Sequence, residues 1–101
     1  MQILEWSKAD FSEGLSIKAM SENESVKEIQ ITLAKESVLN EHKAPSKISV
    51  QVLSGKIEFG VEGEVFELKA LDCIFVDAGV LHHLKGIENS ILRLSIYKRL
   101  C

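Results

Sequence analysis

The sequence predicts an all-β domain, a sandwich or small barrel, and three observations carry that prediction. Apolar and polar residues alternate through one short run after another, turn signals interrupt those runs at close intervals, and the three-and-four spacing of a helical face is almost absent. A chain of 101 residues encloses one hydrophobic core and not two, so residues 1–101 are read as a single domain.

Taken in order, Glu5 to Phe11 shows weak helical spacing, enough for one short turn near the N-terminus, with Trp6 and Phe11 placed to plug the barrel or pack at an interface. A first strand is expected over about Leu15 to Met20, followed by the polar loop Ser21 to Ser25. In Ile29, Ile31 and Leu33 the apolar residues are separated by Gln30 and Thr32 and preceded by Glu28, the period of a strand buried on one face. Glu36 to Glu41 has helical spacing only in parts. Pro45, the single proline, removes a backbone donor in the loop before Ile48.

The beat of two then recurs at Ile48, Val50, Val52; at Ile57, Phe59, Val61; at Phe66, Leu68; at Ile74, Val76; and at Leu92, Leu94, Ile96. Ser54-Gly55, Glu62-Gly63, Ala78-Gly79 and Glu88-Asn89 punctuate these runs, and V-E-G-E at 61–64 reads as a tight hairpin whose glycine accepts positive φ. Ile48, Val50, Phe59, Phe66, Phe75 and Val76 are the expected core and cavity wall. Gln51 and Glu58 lie on the opposite parity and face solvent.

Composition excludes several classes of function. With 12 basic against 15 acidic residues, and the lysines scattered singly, there is no electrostatic footprint for nucleic acid. No apolar run approaches the ~20 residues that span a bilayer as a helix, and the opening MQILEWSKADF lacks the pattern of a secretion signal. A cytoplasmic protein with no membrane partner is expected. Cys73 and Cys101 are far apart and form no metal-knuckle spacing; Cys73 reads as a buried, inert wall residue. No G-x-S-x-G, Gly-rich phosphate loop or Ser/His/Asp arrangement is present.

Polar groups flank the apolar runs at His42, before the Ile48 strand, and at His82-His83, after the Ile74 strand. From Thr32 to Ile96, the order His42, S-G-K at 54–56, V-E-G at 61–63 and D-C-I-F-V-D-A-G-V-L-H at 72–82 resembles the small single-domain cupins. That resemblance implies a cupin-type jelly-roll barrel of two antiparallel sheets with little or no helix, residues 1–25 supplying an N-terminal strand and loop. Anchored on Gly55, the first cupin motif puts His42 and Ala44 where the family has its two histidines, Ile48 where it has its glutamate, and Glu36 where it has its opening glycine. Anchored on Gly79, the second puts His82 at the family's histidine, Leu71 at its leading glycine, Asp77 at its proline and Gly86 at its asparagine, with Asp72 retained.

The resemblance thus keeps the scaffold better than the ligands. A catalytic metal normally needs about three convergent protein donors and an open position, and here two of four have become hydrocarbon. The leading expectation is a small-molecule-binding domain without a complete cofactor site. In it Ile48, Val50, Val52, Phe59 and Val76 line a cavity, and His42 and His82 fix the ligand's polar end. Imidazole's ordinary pKa near 6.5 lets either ring donate or accept near neutral pH. The competing expectation is a metal-dependent cupin enzyme of dioxygenase, isomerase or decarboxylase type, a divalent metal held sparsely by His42 and His82. The alternative for both rings is a pair of loop or core histidines bonded to backbone carbonyls. His83, next on the strand, should face outward, and Glu41 should be solvated. A third role, pairing as a homodimer through Leu15, Ile17 and Ala19, follows from the resemblance and from the hazard of an uncovered edge strand.

Overall fold

Nine strands and no helix make up the described part of the chain, residues 2–98 of a computed structural model. They are β1 (Leu15–Glu22), β2 (Val26–Leu33), β3 (Val38–His42), β4 (Ile48–Ser54), β5 (Lys56–Val61), β6 (Glu64–Lys69), β7 (Cys73–Val76), β8 (His82–Gly86) and β9 (Ser90–Tyr97). Two antiparallel sheets result, one ordered β1-β2-β9-β4-β7 and the other β3-β8-β5-β6. From β2 onward the chain passes repeatedly from one sheet to the other, so residues distant in sequence become cross-strand neighbours.

The interior is what the alternation demands. Ile29, Ile31, Leu33, Ile48, Val50, Val52 and Leu92 from the first sheet meet Ile57, Phe59 and Leu84 from the second, all nearly removed from water. Val61 pairs with Glu64 across a two-residue turn in which Glu62 (φ 50°) and Gly63 (φ 77°) are both left-handed. That is the hairpin turn whose twist matches the flanking strands.

Several expectations need correction. The helical spacing in parts of Glu36–Glu41 gives way to β3, whereas the N-terminal stretch forms the short turns its spacing allowed. Glu28, Gln30 and Thr32, expected on a solvated face, are buried because residues of the N-terminal stretch lie over that face. Gln30 Nε2 donates to the carbonyls of Trp6 and Lys8, both at 2.9 Å, and Thr32 Oγ1 to that of Asp10 at 3.4 Å. Trp6 does not plug the barrel; its ring lies 5.3 Å from the Arg93 guanidinium outside the sheet. Arg93 Nε in turn donates to Glu28 Oε2 at 2.7 Å and Ser95 Oγ donates to the same oxygen at 2.8 Å, which satisfies the buried carboxylate.

Cys73 is exposed rather than a buried wall residue, because β7 is an edge strand and Cys73 lies on its outer face. Phe75 shares that face, pairing with Ser49 and stacking on Tyr97 at 6.2 Å, with Lys47 above its ring. It is not cavity wall. Phe66 pairs with Phe59 and so has inward parity, yet it stays partly exposed at the open edge made by β6. Cys101 lies outside the described residues.

Candidate functional site

β3 is the edge strand that pairs with β8, and its register breaks between Leu39 and His42. Leu39 faces Leu84 and His42 faces His82, so residues three apart on β3 oppose residues two apart on β8. The extra residue is a β-bulge, and it turns His42 to the inner face that strict alternation would have denied it. On β8, His82 and Leu84 point inward, while His83 points outward as expected and its ring covers Gly60. His83 Nε2 lies 3.5 Å from Glu58 Oε2 on that outer surface.

The two inward imidazoles meet with ring centroids 4.2 Å apart and planes tilted by 58°. His82 is buried, with Phe59 stacked parallel behind it at 5.7 Å; His42 is exposed at the rim. Each Nδ1 is held by a carbonyl two residues upstream, Asn40 O at 2.9 Å for His42 and Val80 O at 3.1 Å for His82. A carbonyl only accepts, so each Nδ1 carries the proton and each Nε2 of the neutral ring is a bare acceptor. Burial pushes His82 below the ordinary imidazole range. The bond to Val80 opposes that shift, and the neighbouring His42 and His83 reinforce it.

Beneath the pair lies a cavity of ≈ 250 Å³, lined by Ile31, Leu39, His42, Lys43, Ala44, Pro45, Ile48, Val50, His82, Leu84, Leu94 and Ile96. Of the expected wall, Ile48 and Val50 border it together with both histidines. Phe59 backs His82 instead, and Val52 and Val76 belong to the core beside the cavity. Sequence reading missed Leu39, which the bulge shifts out of phase, and Lys43, which stands at the mouth. Two loops form that mouth, tied by Gly79 N donating to Ala44 O at 2.9 Å. The second loop turns through Gly79 (φ 79°) with Val80 N bonded to Asp77 O, so the turn closes without a proline at 77.

The donor set does not fit a complete metal centre. Ala44 and Ile48 contribute hydrocarbon to the cavity, and among the described residues no three His, Cys, Asp or Glu side chains converge.

No protein-family model matches the chain, and no curated protein matches its sequence. Solved structures do. An RmlC-like cupin from Shewanella frigidimarina superposes with a TM-score of 0.80 at 22% identity, covering 89% of this chain and 81% of that one. A cupin superfamily protein from Desulfitobacterium hafniense gives 0.86 at 13% identity, covering 98% and 92%. A cupin 2 conserved barrel domain protein from Leptotrichia buccalis gives 0.80 at 25% identity, covering 89% of this chain and 44% of that one. The fold is therefore the cupin jelly roll, in its small form.

Proposed function

We propose that this cupin fold binds a small, partly apolar molecule, held by hydrocarbon in the cavity and oriented by His42 and His82 at its rim. One observation carries the reading: two imidazoles, each with Nδ1 bonded to a backbone carbonyl, stand 4.2 Å apart over a largely apolar cavity of ≈ 250 Å³. An apolar pocket with a few placed polar groups is the usual form of a small-molecule site. A cavity of about 150 Å³ already holds benzene, so this one suits a single ring or a short branched chain.

A screen of small amphiphiles against methyl-labelled protein tests it. Hits should shift the methyls of Ile48, Val50, Leu84 and Ile96, and His42→Ala should weaken them. Hits that move surface methyls alone, or bind His42→Ala and His82→Ala as they bind the parent, would sink the reading.

A metal-dependent enzyme is the second reading, and the Nδ1 anchoring favours it, since metal-bound histidines commonly donate their other nitrogen to a carbonyl. The count of donors weighs against it. Elemental analysis of untagged protein, with and without His82→Ala, separates the two: stoichiometric metal lost in the variant would promote the enzyme.

Self-association through β1 belongs to the same proposal. β1 ends the five-stranded sheet and exposes Ile17 and Ala19. A sedimenting monomer at high concentration would count against it.

A further inference from the structure

The hydrogen-bonding sense of the site limits what its polar end can recognise. Both Nδ1 atoms are committed as donors, His42 to Asn40 O and His82 to Val80 O. What remains of each neutral ring for a ligand is a lone pair on Nε2. An ether or ester oxygen would oppose lone pair to lone pair. A carboxylate would add a negative charge against the same lone pairs, over a cavity that is otherwise nearly all hydrocarbon. Lys43, the one formal positive charge on the lining, stands at the exposed mouth, where solvent screens it.

Resting on the binding reading above, we infer that the ligand is a neutral, hydroxyl-bearing apolar molecule, an alcohol or a phenol, whose O–H donates to Nε2 of the histidine pair. Its hydrocarbon body lies on Ile48, Val50, Leu94 and Ile96.

Three probes of nearly equal size test the inference at about pH 8, where a phenol is still protonated: p-cresol, p-methylanisole and p-toluate. Titration of methyl-labelled protein should show p-cresol moving the Ile48, Val50 and Leu84 methyls. One neutral hydrogen bond predicts binding about five- to tenfold weaker for p-methylanisole, with p-toluate weaker still. If p-methylanisole equals p-cresol, or if Lys43 makes p-toluate the tightest of the three, the inference falls while the binding reading stands. If no probe moves those methyls, both fall. Independently, a histidine nitrogen spectrum of the free protein with the proton on Nε2 of either ring would overturn the inference alone.

Discussion

His42 and His82 are direct cross-strand partners, and their rings meet 4.2 Å apart because a bulge on β3 turns the first to the face occupied by the second. The two differ in environment, one exposed and one buried. They therefore respond differently to removal.

In the interval just below about pH 6.5, above the carboxylate range, stability should fall as the solution is acidified, and His82 is the group responsible. Its folded pKa lies below the ordinary value of 6.5, chiefly through burial. The unfolded chain therefore binds the proton more readily, and stability rises with pH where the two states differ. The contribution is whole above about pH 6.5 and is lost as pH drops through that value toward the folded pKa. His82→Asn keeps an N–H for Val80 O and cannot titrate. Its melting temperature should show a shallower decline over the same interval, and an unchanged slope would assign the effect elsewhere.

Removing the rings should separate structural weight from ligand recognition. His82→Ala deletes a buried ring stacked on Phe59 and leaves the Val80 carbonyl without its donor. A cost of about 2–4 kcal/mol is expected in urea unfolding. His42→Ala removes an exposed ring and should stay within about 0.5–1 kcal/mol. Equal losses would mean that the pair acts as one packed unit rather than as a core residue and a rim residue.

On the outer face of β8, His83 covers Gly60, and a methyl at that glycine would meet the ring's Cε1 at 1.9 Å. The ring must swing away for an alanine to fit, and it leaves its contact with Glu58 in doing so. Gly60→Ala should therefore cost about 1–2 kcal/mol, and most of that should vanish in a His83→Ala background. A double-mutant cycle measures the coupling; strict additivity would show that the clash is not what glycine relieves.

How much of this was legible depended on whether the cause was local. Alternation disclosed β2, β4, β5 and β9 because one face of each is lined by a continuous apolar row. It failed on β3, where the bulge puts Leu39 and His42 on one face at a spacing of three, and on β8, whose inward parity carries just two side chains, His82 and Leu84, before the buried Gly86. The burial of Gln30 and Thr32 was invisible because a distant segment covers them. Phe75 was misassigned on its hydrophobicity, although its parity already opposed that of Ile74 and Val76. The meeting of His42 with His82 is set by strand pairing across the chain, so only the cupin resemblance pointed to it.

That resemblance also marked two positions where glycine would be expected, Glu36 and Leu71, and both have left-handed backbone, φ 72° and φ 78°. The fold thus keeps the conformation after losing the residue that adopts it without penalty. A Cβ in that region costs roughly 1–2 kcal/mol. Leu71 is 73% exposed, so little packing is lost with its side chain, and its N–H to the Val52 carbonyl survives substitution. Leu71→Gly should therefore stabilise the protein by about 1 kcal/mol, the relief being partly offset by the greater freedom of glycine in the unfolded chain. Chemical denaturation should show a higher midpoint at an unchanged slope. A lower midpoint would mean that the exposed leucine makes a contact worth more than the strain it carries.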